Sequence, residues 1–300
     1  MLTNVQDQQE RMTAMDFCEF RERTLNSIRD YLPEEFRGYR CEIKKIDKIN
    51  GSREAMIIQD PDMEYEGVPS LYLDDFYEMY RDCRDMDFVM RSAAEFYIKG
   101  IRLGKKYIEK LKKSGNDNII MVLVNADMNQ AILEDAPHRR ILDLAVFYRR
   151  MIECDDGTFN LVTVNNDEAE ALGLTENDLF FLARANTVRL LPTDVKSLGG
   201  NVEVLSNERG ILGASAVLYE QVLSELAERQ RNDLYVIPSS IHEVITIPAG
   251  DVDTKALKEM IRNANRTILR QKDILSDNLY HFSRENRELT LVCERILPYS

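Results

Sequence analysis

Tryptophan is absent from this 300-residue chain, and histidine occurs only three times. Three imidazoles leave little material for proton transfer near neutral pH. The five cysteines, Cys18, Cys41, Cys83, Cys154 and Cys293, are scattered and form no Cys-x-x-Cys pair. That spacing excludes a zinc ribbon and predicts free thiols in a reducing compartment. No apolar run approaches the ~18–20 residues that cross a bilayer. The N-terminus is polar and lacks an apolar signal core, so a cytoplasmic location and no membrane partner are expected. Gly-x-x-x-x-Gly-Lys, Gly-x-Gly-x-x-Gly and Gly-x-Ser-x-Gly do not occur. Their absence removes the phosphate loop, the dinucleotide fingerprint and the nucleophile elbow. No cofactor and no metal are implied.

What is present is an acidic globular composition, with a net charge of −13 and 44% hydrophobic residues. Such a chain is repelled by nucleic acid and anionic membrane unless a basic patch overrides the average. The strongest local pattern runs from Asp233 to Pro248. Two β-branched and aromatic runs, Leu234–Ile237 and Val244–Ile247, flank Pro-Ser-Ser, which reads as a hairpin. Both runs are apolar at nearly every position, as in strands covered on both faces. A central hairpin is expected, with Val236 and Ile245 both deep in the interior and His242 at least partly exposed at the turn.

From the N-terminus, Met1–Ala14 reads as a disordered leader, or as an upstream start before a native start near Met15. Cys18, Leu25, Ile28 and Leu32 recur at helical spacing up to Pro33. Cys41–Ile46 and Ala55–Ile58 around Asn50-Gly51 predict a hairpin with a type I′ turn. Asp60, Asp62, Glu64 and Glu66 alternate, but their spacing does not meet the EF-hand rule, so they read as a solvated loop. Ser70–Leu73 leads to Asp74-Asp75, expected to cap a helix. A second helix starts near Asp85 and continues as Lys99–Lys113. Ser114–Asp117 reads as a linker. The expected domains are residues 15–115, a helix and hairpin part, and residues 116–300, an α+β part.

The C-terminal part reads as a duplicated β-α-β-β-α unit, with copies at 116–198 and 200–282. Each copy opens with a strand ending in asparagine, Asn125 or Asn207. Each later contains an Ala-Asn-Thr or Ala-Asn-Arg-Thr helix. The last strands are expected at Asn278–Phe282 and Leu289–Val292. Overall the pattern is α+β, with mainly antiparallel sheets and packed helices.

Four groups of residues carry candidate chemistry. His138 and Arg139 lie just before an expected strand, near the strand ends at Asn125 and Asn207. His242 and Glu243 sit beside Ser239 and Ser240. That order evokes a hydrolytic triad, but side chains so close in a tight turn point apart. Gly210-Ile211-Leu212-Gly213 precedes a helix, whose amides could face an anion. Lys99, Arg102, Lys105, Lys106 and Lys110 form the one basic concentration. They make segment 99–113 the one expected contact for nucleic acid, an acidic partner or lipid headgroups, against the plainer reading of a solvated face or one docked on the protein's own acidic surface.

At Leu32-Pro33-Glu34-Glu35-Phe36, Tyr72-Leu73-Asp74-Asp75-Phe76-Tyr77 and Ala136-Pro137-His138-Arg139 the chain resembles a family of uncharacterised proteins from anaerobic Gram-positive bacteria. The resemblance continues through Leu205-Ser206-Asn207 and Leu234–Pro248. From about Phe180 to Pro248, with the segment Asn186-Thr187-Val188-Arg189-Leu190-Leu191-Pro192, the chain is also more distantly similar to a second conserved bacterial family of unknown function. The resemblance implies a bacterial cytoplasmic protein and assigns no activity. The expected function is a non-catalytic binding or adaptor protein with a protein partner. The alternative is a hydrolase-like or nucleotide-handling enzyme with its site near His138 and Arg139.

Overall fold

A computed structural model of the chain describes residues 15–62, 68–154 and 157–292. The leader Met1–Ala14, residues 63–67 of the acidic loop, and Cys293 lie outside the described residues. The fold is α+β and divides into two compact units. The first comprises the chain up to Asp47 together with Ser52–Lys113, and the second comprises Lys48–Gly51 and the chain from Ser114 onward.

In the first unit, α1 spans Phe17–Tyr31 and is capped by Asp16, which accepts the Glu19 amide at 2.8 Å. It buries Phe20, Thr24 and Ile28, whereas Cys18 is exposed. A single 3-10 turn, Glu34–Phe36, leads into β1 (Arg40–Lys48) and β2 (Gly51–Gln59). The intervening turn differs from the expected type I′. That turn needs two residues at positive φ, and Asn50 has φ 61 while Gly51 stays outside the left-handed region.

β3 (Ser70–Tyr72) pairs antiparallel with β2 and runs straight into α2 (Leu73–Cys83). Asp74 and Asp75 do not cap this helix; the N-cap is Tyr72, with no side-chain bond. Both carboxylates lie in the first turn, where they favour the helix dipole, and Arg53 Nη2 joins them at 2.6 and 2.5 Å. The long helix α3 (Met86–Lys113) closes the unit. Its Gly100 is a packing requirement, since a Cβ there would come within 2.6 Å of Pro69 Cγ. Phe20, Ile28, Met56, Ile58, Leu71 and Tyr97 are the fully buried centre.

In the second unit, β4 (Ile119–Asn125) is followed by α4 (Gln130–Glu134), β5 (His138–Ile141), β6 (Leu144–Glu153) and β7 (Phe159–Thr163). Then come α5 (Asn166–Leu172) and α6 (Glu176–Leu190). β6 is the spine of the first sheet. β4 runs along one edge, and β5 and β7 follow each other along the other. β4 reads Ile-Ile-Met-Val-Leu-Val and is buried at all six of those positions, as continuous apolar runs demand.

The chain continues through β8 (Thr193–Gly199), β9 (Val202–Asn207), a 3-10 segment (Gly213–Leu218), α7 (Glu220–Gln230), β10 (Leu234–Ser240) and β11 (Glu243–Pro248). It ends with α8 (Thr254–Thr267), a 3-10 turn (Gln271–Asp273), β12 (Tyr280–Ser283) and β13 (Glu288–Leu291). The order β13–β12–β10–β11–β9–β8 puts the β10–β11 hairpin at the centre of a six-stranded sheet. All ladders of this unit's described residues are antiparallel.

Two details of the hairpin differ from expectation. Pro238, Ser239 and Ser240 are not the turn. β10 runs through them with a bulge between Pro238 and Ser240, where a proline is tolerated, and Ile241-His242 makes the turn. The second concerns burial. Val236 is fully buried, but Ile245 is only half-buried. β11 alternates: Val244 and Thr246 face the main core, while Ile245 and Ile247 face α8. That single helix, which also buries polar Lys258 and Asn265, covers this side thinly.

Candidate functional site

His242 lies at the turn between β10 and β11, and both of its ring nitrogens are engaged. The Leu212 amide donates to Nδ1 at 3.1 Å, which leaves the ring proton on Nε2, 3.2 Å from Asp273 Oδ1. Ser240 Oγ accepts the His242 amide, and Ser239 Oγ donates to Glu243 Oε1 at 3.0 Å. No serine hydroxyl meets the imidazole, so this cluster is a brace and not a triad. The neighbouring turn of the first sheet is braced from the same segment. Asp143 accepts Ser276 Oγ at 2.6 Å, Asn278 Nδ2 at 3.0 Å and the Tyr280 hydroxyl at 2.9 Å. Burial, then the Asp143 charge, holds the Tyr280 phenol well above its ordinary range. Asn50 Nδ2 adds a bond to Ile274 O at 2.6 Å, and its amide donates to Asn129 Oδ1 at 2.7 Å.

The asparagines at the strand ends also serve the backbone. Asn125 Oδ1 accepts the amides of Asp127 and Met128, both at 3.0 Å. Asn207 Oδ1 accepts those of Arg209 and Ile211, and its Nδ2 donates to Ile211 O at 2.7 Å. Three of the four amides of Gly210–Gly213, the candidate anion cradle, are taken up within the chain. The amides of Gly210, Ile211 and Leu212 go to Asn207 O, Asn207 Oδ1 and His242 Nδ1, and the following Ala214 amide goes to Ile241 O.

His138 lies within β5 rather than before a strand. Its Nδ1 is 3.0 Å from Ala136 O; a carbonyl only accepts, so Nδ1 carries the proton and the Nε2 lone pair is left open. It borders a shallow depression of about 540 Å³ with Glu134, Glu170 and Glu176. Arg139 is committed elsewhere. Its guanidinium meets Glu176 at 2.7 and 3.2 Å, Asn177 at 2.7 Å, and the ring of Phe180 at 4.0 Å. The Tyr148 hydroxyl donates to the same Glu176 at 2.5 Å. Burial, reinforced by that carboxylate, raises the Tyr148 phenol well above its ordinary value. Neither Asn125 nor Asn207 borders this depression.

The basic segment of α3 divides between two helix faces. Lys99, Lys106 and Lys110 recur seven and four residues apart and share one exposed stripe. Arg102 and Lys105 belong to a different face, which borders a groove of about 730 Å³ within the first unit. Ile98, Ile101 and Ile108 of α3 form one wall of the groove. Tyr97 of the same helix adds to that wall, Phe36, Tyr39, Ile58 and Val68 supply apolar surface from other elements, and Glu35 and Asp60 border it as well.

Tyr97 is fully buried and donates to Ile58 O at 2.9 Å. Burial, and then the nearby Asp60 and Glu35, raise the Tyr39 phenol. Gln59, at 9% exposure, also lines the groove, and its Oε1 has no hydrogen-bond partner. Among the described residues neither Arg102 nor Lys105 is ion-paired. Sequence reading identified the two cations but missed Gln59, Phe36 and Tyr97, which are far apart in the chain. The one available signal was the isoleucine spacing at 98, 101 and 108.

These features define an α+β protein of two compact units, each with a concave surface of its own. No helix of the described residues is long and apolar enough to cross a membrane. Groups of three or more His, Cys, Asp or Glu placed to hold a metal ion are absent among the described residues. The chain belongs to a family of unknown function (DUF5688), whose model matches residues 17–203 and 201–284. No curated protein and no solved structure matches it.

Proposed function

We propose that the chain is a non-catalytic binding protein and that the groove of the first unit is its ligand site. The observation that carries this reading is a groove of ligand-sized volume, about 730 Å³, with aromatic and aliphatic walls and a few polar groups at its border. The absence of tryptophan supplies the test, because a single introduced indole has no background. Ile101→Trp places the reporter in the groove wall, and Phe88→Trp places it on the exposed part of the same helix. Titration with n-decanol should give a saturable emission change in Ile101→Trp alone. Equal, non-saturating responses from both variants would defeat the reading.

One observation favours a catalytic alternative, hydrolase-like or nucleotide-handling: the open Nε2 of His138 above the depression with Glu134, Glu170 and Glu176. Against it, Arg139 is held by Glu176 and Asn177. Loss of a measured hydrolytic activity in His138→Gln would support the alternative. We also infer a bacterial cytoplasmic setting, supported by the motif resemblance to Gram-positive anaerobes and by four free cysteines among the described residues. A duplicated second unit is supported by the matching strand orders β4–β6–β5 and β9–β11–β10, each opened by a strand whose terminal asparagine closes the following turn, with β5 and β6 in place of the expected pair Leu142–Met151 and Asn160–Val164.

A further inference from the structure

We infer, building on the groove reading above, that its ligand is an anion-headed amphiphile that also carries one N–H or O–H donor. Three independent features of the groove specify those three chemical parts. The walls from Phe36, Ile58, Ile98, Ile101 and Ile108 call for an apolar body. Arg102 and Lys105 project from the helix wall one turn apart, and neither is ion-paired among the described residues. Neither Glu35 nor Asp60 is ion-paired with them among the described residues. Asp60 accepts the Asp62 amide at 3.0 Å and lies beside the Tyr39 phenol. Two adjacent exposed cations beside an apolar channel favour a carboxylate or phosphate head and disfavour a cationic one.

The donor is specified by Gln59. A buried carbonyl oxygen without a donor is destabilising, and native proteins leave few of them. Gln59 Oε1 is such an acceptor in the wall of the groove. The other buried polar group of that wall, the Tyr97 hydroxyl, is already satisfied by Ile58 O. An incoming amide or hydroxyl therefore has one open acceptor to meet, after a side-chain rotation that turns Oε1 toward the channel.

The test compares N-decanoylglycine, decyl phosphate, n-decanol and decyltrimethylammonium on the Ile101→Trp reporter. N-decanoylglycine has the chain, the carboxylate and the amide N–H. It should bind at least ten-fold more tightly than decanol, weaken with added salt, and lose that advantage in the Arg102→Glu, Lys105→Glu double variant. Gln59→Leu should weaken N-decanoylglycine but leave decyl phosphate unchanged at pH 9, where the phosphate is fully ionised and carries neither N–H nor O–H. A phosphate preference over the carboxylate would support the anionic head and overturn the amide donor. If decanol saturates the reporter and neither anion is preferred, the head-group inference fails while the groove reading stands. If none of the four saturates it, both fail. Because Arg102 and Lys105 are exposed, their reversal leaves the fold intact, and an unchanged melting temperature checks this.

Discussion

His242 and Asp273 meet at 3.2 Å across 31 residues of chain, joining the central hairpin to the turn that follows α8. The bond is directional, because the Leu212 amide occupies the other ring nitrogen. A partly exposed histidine at a hairpin tip would be dispensable if it stood alone, but this one joins two segments. His242→Ala leaves the Leu212 amide without its acceptor and should cost about 1–2 kcal/mol in urea denaturation. Asp273→Asn keeps an acceptor for Nε2 and should cost less. A loss for His242→Ala below about 0.5 kcal/mol would show that solvent replaces both bonds.

Burial on β10 and β11 sets the order of two truncations. Val236 is fully buried, so Val236→Ala should cost roughly 2–3 kcal/mol through lost contacts and a residual cavity. Ile245, the larger side chain, lies half-buried beneath α8 and should cost roughly 1–2 kcal/mol on truncation. Equilibrium denaturation of both variants reads the difference directly. The reverse order would mean that α8 covers its face of the sheet more tightly than the structure shows.

Gly213 sits where three backbone segments converge. A Cβ there would collide with Ser206 Oγ and come within 2.6 Å of His242 O and 2.8 Å of Asn207 N. Two of those atoms are backbone and cannot rotate aside. Gly213→Ala should therefore destabilise by more than about 2 kcal/mol, at the upper end of ordinary substitutions. Gly250, with no atom within 4 Å of the added methyl, is the control and should change by less than about 0.5 kcal/mol.

Alkaline pH should weaken the fold through Tyr148 and Tyr280. Burial raises both phenols far above the ordinary tyrosine value of about 10, and a carboxylate raises each further. Above pH ~10 the unfolded chain releases these protons while the folded chain retains them, so the folded state binds more protons. The stabilisation is thus complete below pH ~10 and is lost as pH rises toward the folded values. The slope should approach about 1.4 kcal/mol per pH unit for each tyrosine. Tyr148→Phe and Tyr280→Phe should each flatten the decline measured by denaturation between pH 9 and 11. An unchanged slope in both would place the alkaline loss elsewhere.

The sequence by itself determined the elements whose signals are local. Apolar runs marked β4, β10 and β11 as strands, but the expectation that β11 is covered on both faces failed at the half-buried Ile245. The spacing of Leu25, Ile28 and Leu32 before Pro33 marked α1, because proline disfavours the helical conformation of the residue before it. β8 was not legible: Thr-Asp-Val-Lys-Ser-Leu-Gly lies at the sheet edge, mostly exposed, and burial imposes no alternation on it. The candidate sites were legible only as residue types. Whether Asn125, Asn207 and His242 bind something else or hold the chain's own backbone depends on which amides arrive beside them, and those come from loops and from residues up to 31 positions away. Arg139 and Arg102 look alike in the chain. One faces Glu176 and the other borders an apolar groove, and only tertiary packing puts a carboxylate against the first and leaves the second unpaired among the described residues.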